Sequence, residues 1–571
     1  MLRKFRLFAS TLRAVAFVAP VAVVTPVVAV SVAACSSSSG SSENPGDSPN
    51  GGDTGTGGLG SSSGGSGNPF GGSSGNAGSL NGSGGGANAG TGGASTGGPS
   101  GTTGGAGNAG TGNAGTGNAG TGNAGTGNAG GGNAGGGNAG SSGSGGTVAG
   151  SGGTSGGGNV VHVDNPYAGT KGYVNSEWQA KANAEPGGSK VSSTPTAVWL
   201  DRIAAIAGTP NSQSNGAMGL RDHLDAALTQ GAGYIQFVIY DLPGRDCSAL
   251  ASNGELGPTD LPKYESDYID PIAAIMGDPK YSAIHIVNVI EPDSLPNLLT
   301  NTDVAECATM KSNGNYVNGV AYALQKLGAI PNVYNYIDAG HHGWLGWDSN
   351  FGPTADLFHQ VGMMAGLSTI SGFITNTANY SALTEPFFNI NTTVNGTSVK
   401  QSKWVDYNSY VDELTYAQAL RTKLVSEGFD SSIGMLIDTS RNGWGGSARP
   451  TAASTSTDVD TFVDGSRIDR RIQAGNWCNQ TGAGLGERPT ASPADGIDAY
   501  VWIKPPGESD GSSTMIANSD GKGFDRMCDP TYTGNERNGN NLTGALSNAP
   551  LSGAWFSAQF QQLMQNADPP L

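Results

Sequence analysis

The chain has 571 residues, 95 of them Gly, and a formal net charge of −17. Residues 36–160 hold 52 of those Gly and the 411 residues from 161 onward hold 43, which excludes one uniform globular body; the lack of a Gly-X-Y period with Pro excludes collagen. The acidic balance excludes a nucleic-acid binder, which needs clustered Lys and Arg, and is compatible with a neutral substrate.

In chain order, residues 1–34 read as an export signal. Arg3, Lys4, Arg6 and Arg13 precede an apolar stretch from Ala14 to Ala34 that Pro20 and Pro26 interrupt, a poor pattern for a membrane-spanning helix. The end of this stretch, Val32-Ala33-Ala34-Cys35, resembles a bacterial lipobox, in which Cys35 becomes the lipidated N-terminus and holds the protein at a membrane surface. Ordinary signal cleavage and secretion is the alternative, and lipid at Cys35 would be the only membrane contact. Residues 35–160 then contain one aromatic, Phe70, and a period-five Gly-Asn-Ala-Gly-Thr/Gly repeat from Gly107 to Gly140. Such a segment cannot bury enough apolar area to offset its ordering entropy, so a disordered tether is expected, spanning on the order of 60 Å if it behaves as a Gly-rich coil.

Residues 161–571 are expected to form one domain whose fold begins near Asn165-Pro166. Leu220, Leu224, Ala227 and Leu228 recur at helical spacing. Tyr234–Tyr240, Ile284–Ile290, Pro331–Ile337, Thr369–Thr375, Ser432–Ile437 and Ile497–Ile503 read as buried strands. Strands alternating with helical patterns predict an α/β fold, a parallel β/α barrel. Polar and aromatic groups follow each strand: Asp246 after the first, Glu291 and Asp293 after the second, His341, His342, Trp344 and Trp347 after the third. Asn376 and Asn379 follow the fourth, Arg441 and Trp444 the fifth, and Lys504, Glu508 and Asp510 the last. Six such loops in series mark the C-terminal face of a barrel, where sites are built.

The chemistry on offer is carboxylates, Trp and neutral polar groups. HExxH, clustered Cys/His ligands, a phosphate-binding Gly loop and the G-x-S-x-G elbow are all missing from the sequence, so no metal and no cofactor is expected. Trp faces pack on the C–H faces of sugars, and paired carboxylates can protonate a glycosidic oxygen and manage an attacking water, which points to glycoside hydrolysis. A carboxyl acting as acid must hold its proton near neutral pH; Asp246 beside Asp293 would disfavour a second charge, with Arg245 keeping Asp246 ionised.

Val238-Ile-Tyr240-Asp-Leu-Pro-Gly-Arg245-Asp246-Cys247 and Val289-Ile-Glu291-Pro-Asp293-Ser-Leu resemble the two signatures of glycoside hydrolase family 6, as do Leu485-Gly-Glu487-Arg488-Pro489 and Trp502–Asp510. The resemblance covers about Asn165 to Leu571. It implies an inverting cellulase on a distorted barrel with fewer than eight strands. It implies that Asp293 is the general acid, that Asp246 supports it, and that Asp510 is the base, with a water chain near Asp246 and Ser252 as the alternative. Tyr240 would crowd the sugar at the cleavage point. Trp199, Trp344, Trp347 and Trp477 would stack on sugars, the Gly-rich surroundings of Trp344 and Trp347 favouring an exposed platform; Trp178, Trp404 and Trp502 are left to the core. Asp201, His341, Asn379, Lys504 and Glu508 would hydrogen-bond the substrate. Four Cys of an exported domain allow three disulfide pairings, and the resemblance implies Cys247–Cys307 and Cys478–Cys528. The long stretches Thr439–Trp477 and Ser252–Tyr268, read as loops, are similar to the tunnel-forming loops of bacterial exocellulases in the family. The expectation is therefore a monomeric enzyme releasing cellobiose from non-reducing ends of cellulose. An endo-acting β-1,4-glucanase and a catalytically silent glycan-binding protein are the alternatives.

Overall fold

The computed structural model describes residues 162–571 apart from position 215; the expected export signal, Cys35 and the Gly-rich tether lie outside the described residues. Eight strands form one sheet: β1 (Val198–Leu200), β2 (Tyr234–Ile239), β3 (His285–Ile290), β4 (Val333–Asp338), β5 (Gly372–Thr375), β8 (Gly434–Asp438), β9 (Thr490–Ala494) and β10 (Ile497–Val501). A separate hairpin pairs β6 (Thr393–Val394) with β7 (Thr397–Ser398). The order is β1-β2-β3-β4-β5-β8-β10-β9, parallel throughout except for β9, which runs antiparallel to β10 at one edge. The expected β/α barrel with fewer than eight parallel strands is what the sheet forms, with an antiparallel strand added.

Both faces of the sheet are buried, which explains why its strands read as unbroken apolar runs. Phe237, Ile239, Ile290, Ile337, Phe373 and Ile437 face outward into the core shared with the surrounding helices. Val238, Tyr240, Val289, Tyr336, Ile374, Leu436 and Val501 fill the concave side. The helix Leu220–Gln230 buries Leu220, Leu224 and Ala227 and stops at Gly231, in the left-handed conformation with φ 62° that a Cβ would disfavour. The register keeps neighbouring strands level: Ile239 pairs Ile290, Ile290 pairs Ile337, Ile337 pairs Phe373, and Phe373 pairs Met435. The C-terminal ends therefore finish together and their loops share one rim.

The sheet does not close by strand pairing between β1 and β10. Across that seam the Ala197 N–H donates to the Trp502 carbonyl (3.1 Å) and the Trp199 indole N–H to the Ile503 carbonyl (2.9 Å). A third cluster, with Trp178, Trp444, Trp502 and Phe560, packs the C-terminal helix Ser557–Gln565 beside it. Trp178 and Trp502 are core, as expected; Trp404 is half-buried under Arg467, whose guanidinium lies 3.8 Å from the ring centroid.

Two stretches expected to be loops contain helix. Leu261–Lys263 and Tyr264–Ile269 are helical and run into Asp270–Met276, burying Tyr264, Tyr268, Ile272 and Met276 at four-residue spacing, a helical stripe. Within the other, Val459–Ser466 is helical, with the Asp458 carboxylate accepting from the Thr461 N–H. Disulfides join Cys247 to Cys307 and Cys478 to Cys528, the pairing the family resemblance implies. They tie the loops carrying Asp246 and Trp477 to distant parts of the chain.

Candidate active site

A cleft of about 1310 Å³, measured to its open mouth, lies over the C-terminal ends of the strands. Asp246, Asp293, Asp510, Tyr240 and Ser252 all line it, together with Trp199, Asp201, Asn379, Trp477, Lys504 and Glu508. Residues expected on sequence grounds from six different loops thus meet in one place.

Asp293 directly precedes the helix Ser294–Thr300 in a left-handed conformation (φ 63°), and its side chain does not cap that helix. Its N–H donates to the Asp338 carboxylate (3.0 Å), and its carbonyl accepts from Asn297 Nδ2 (2.7 Å). Asp246, Glu291, Asn376, Ala378 and Asn479 are also non-Gly residues with positive φ in these loops. Such conformations cost of order 1–3 kcal/mol each and persist only where surrounding contacts impose them.

Asp246 is buried and accepts the Tyr240 hydroxyl. Burial pushes its carboxyl above the usual range, against hydrogen bonds from Ser252 and Tyr240 and the charges of Arg245 and Lys522. Arg245 opposes the effect of burial on Asp246, as expected, and offsets only part of it. Arg245 is spent on main-chain oxygens, donating to Asp201 O (2.7 Å), Ser252 O (2.9 Å), Asn253 O (2.8 Å) and Tyr240 O, with its guanidinium 4.1 Å from the Tyr240 ring centroid. Asp338, buried beneath Asp293, is pushed by burial to about 6. Glu291 accepts the Asp241 N–H (3.2 Å), the Leu242 N–H (3.1 Å) and the Tyr264 hydroxyl (2.8 Å), so it joins the loop after β2 to the loop after β3.

Asp510 is 7% exposed, so it is no surface residue of a Gly/Ser loop. Arg441 Nη1 donates to both its oxygens (2.7 and 2.9 Å), the Tyr380 hydroxyl at 2.7 Å and the Asn479 N–H at 2.8 Å to Oδ2. Asn379 is fixed by the Arg471 guanidinium (2.9 Å), which also pairs with Asp469. The Lys504 ammonium lies 5.2 Å from the Trp199 ring centroid, and burial lowers its pKa. Glu508 is pushed up by burial, opposed by Lys181 and Lys504. Asp201 binds Lys522 Nζ at 2.6 Å; Lys522 and its neighbouring cations overcome burial and hold the Asp201 carboxyl well below the carboxylate range. Trp477 presents a buried indole N–H without a partner among the described residues.

Trp344 departs from the expected exposed platform. It sits in the one-turn helix His342–Leu345, is fully buried in the main core, and donates its indole N–H to Thr300 Oγ1 (2.7 Å). Trp347, just past that turn, stays half-buried. His341 is 1% exposed, with Nδ1 3.4 Å from Ser381 Oγ. Asp338, Arg471 and Lys522 are not singled out by the sequence, and Glu291 and Arg441, which it puts on the rim, receive no role from it. Asp338 carried a legible signal: it continues the inward parity of Tyr334 and Tyr336 at the end of its strand. Among the described residues no group of His, Cys, Asp and Glu is arranged to hold a metal ion.

The family model described as "Glycosyl hydrolases family 6" matches residues 158–567. The sequence is 53% identical over 434 residues to Exoglucanase A of Cellulomonas fimi, covering 72% of this chain and 49% of that protein; the chain thus spans about half the length of that relative. It is 36% identical over 421 residues to the 1,4-beta-D-glucan cellobiohydrolase C of Emericella nidulans, covering 71% of this chain and 79% of that protein. Among solved structures, the catalytic domain of Cellulomonas fimi Cel6B is similar, with TM-score 0.69 and 52% identity, over 72% of this chain and 97% of that one. So is cellobiohydrolase II (Cel6A) of Humicola insolens in complex with glucose and cellotetraose, with TM-score 0.55 and 32% identity, over 71% of this chain and 100% of that one.

Glu291 provides a test of this geometry. Burial raises its pKa from 4.5 to about 7. The folded state then binds more protons than the unfolded one between those values, so Glu291 makes stability fall as pH rises from about 4.5 to 7. Glu291→Gln should remove that contribution to the slope of Tm against pH. It should also lower unfolding free energy in urea titration by about 1–3 kcal/mol, because one donor then faces an amide N–H. A wild-type slope in the variant would contradict the assignment.

Proposed function

The chain belongs to glycosyl hydrolase family 6, and on that premise we propose that it hydrolyses the β-1,4-glucosidic bonds of cellulose with inversion, releasing cellobiose from non-reducing ends. The observation that carries the reading is the meeting of Asp246 and Asp293, from two separate loops, in a cleft lined by Trp199 and Trp477. Asp293 gives its proton to the glycosidic oxygen as the C–O bond breaks. A water attacks the anomeric carbon from the opposite face, which inverts the configuration. Asp510 already accepts from Arg441, Tyr380 and the Asn479 N–H, so both its oxygens are engaged by the protein. This favours passage of the water's proton towards Asp246, through Ser252. Tyr240, locked between Arg245, Trp199 and Asp246, presses on the sugar at the cleavage point. Trp199, Trp347 and Trp477 offer stacking faces.

Enclosure of the cleft supports exo action over the endo alternative. Residues 209–214 and 512–523 meet over Asp201 at the end of β1, on one flank of the cleft. Lys522 binds Asp201 there, while Asp520 accepts from Ser214 Oγ (2.7 Å) and Ser212 Oγ (3.0 Å). Gly553 packs so closely that a Cβ would lie 2.5 Å from the Ser214 carbonyl. The names of the Cellulomonas fimi and Emericella nidulans relatives, an exoglucanase and a cellobiohydrolase, point the same way. The proposal also includes export, with lipid on Cys35.

Asp293→Asn is expected to lower kcat on cellulose by about 10²–10⁴; full activity in this variant would refute the acid assignment. Wild type should yield mainly cellobiose with little viscosity loss from soluble cellulose derivatives. Lys522→Ala, which unfastens this flank, should raise viscosity loss per bond cleaved, and rapid viscosity loss already in wild type would favour the endo reading. Mass spectrometry of the exported N-terminus should find diacylglyceryl on Cys35; an unmodified end elsewhere would discard the anchor.

A further inference from the structure

Asp406 and Tyr407 are consecutive residues in the left-handed region, with φ of 45° and 62°. Asp adopts that conformation readily, whereas a bulky aromatic does so only at a cost. The Tyr407 ring nevertheless stands 65% exposed, so no core contact compensates for the strain. The segment is held in place by what surrounds it. The Tyr407 N–H donates to the Lys400 carbonyl (2.7 Å), and buried Asn408 donates from Nδ2 to the His342 carbonyl (2.8 Å). The Ser409 hydroxyl donates to Asp348 (2.9 Å), and the Trp347 indole N–H donates to the Asp406 carbonyl (2.7 Å). The turn thus braces Trp347 at the Asp406 carbonyl and exposes a second aromatic, Tyr407, one residue further on. Both stand where the loop after β4 ends, the loop that begins at Asp338 beneath Asp293.

We propose that Tyr407 is a glucan-binding residue outside the cleft, extending the aromatic surface of Trp347 so that a β-1,4-glucan chain longer than the cleft is held beyond it. The inference rests on the reading of the protein as a β-1,4-glucanase. A neutral polymer with apolar ring faces fits the site, because an exposed aromatic offers it a stacking face and a chain of net charge −17 offers a polyanion no attraction. Backbone strain that displays an aromatic to solvent is consistent with a role in binding and not in packing.

The test compares kcat/KM on cellohexaose and on cellotriose, for wild type, Tyr407→Asn and Tyr407→Phe. Asn tolerates the left-handed conformation, so this variant keeps the turn. The hexaose-to-triose ratio should fall roughly two- to tenfold in Tyr407→Asn, the range that aromatic contact energies convert to, and should be retained in Tyr407→Phe. An unchanged ratio in Tyr407→Asn overturns the inference while leaving the glucanase reading intact. An equal fall in Tyr407→Phe also overturns it, since the hydroxyl and not the ring face would then be responsible. Failure of wild type to cleave either oligosaccharide overturns the glucanase reading and this inference with it.

Discussion

The Glu291 carboxylate joins the two loops that carry Asp246 and Asp293. It accepts main-chain N–H groups at the start of the segment that leads to Asp246, and it belongs to the same short turn as Asp293. Neither loop is regular structure, and both contain residues in strained conformations. Without a shared acceptor each could relax separately. One buried acid therefore converts two local turns into a single rigid constellation, and its high pKa is the electrostatic cost of placing it where water cannot solvate it.

The same arrangement recurs around the rim. Arg441 holds Asp510, Arg471 holds Asn379, and Arg245 gathers the carbonyls of three segments. Each guanidinium satisfies several acceptors at once in a fixed plane, which a flexible ammonium does less well. The cleft is accordingly preorganised: its polar groups are already oriented before a neutral substrate arrives, so little reorganisation is left for the reaction itself.

Much of this was legible in the chain. The six strand runs stood out because both sheet faces are buried, and the motifs after them located the rim. Three-residue β1 was too short to carry a pattern, and β9 is largely exposed. Trp344 and Trp347 belong to one motif, yet one is core and the other is not; a single helical turn separates them, and the sequence has no period long enough to say which side faces in. Lys522 lies in a stretch without apolar pattern and meets Asp201 across 321 residues, a pairing that depends wholly on tertiary structure. The helical stripe of Tyr264 and Tyr268 shows the converse, since spacing alone could have recovered it.

The seam between β1 and β10 has a further consequence. A fully closed barrel ends in a round pit, suited to a small molecule that enters and leaves by the same mouth. Here two strands stand side by side with only sparse stitching, and Trp199, Asp201 and Lys504 all belong to that edge. The interrupted rim turns a pit into a trench. A trench has two ends, so the incomplete hydrogen-bonding of the sheet leaves the site open to a longer molecule than a pit could take.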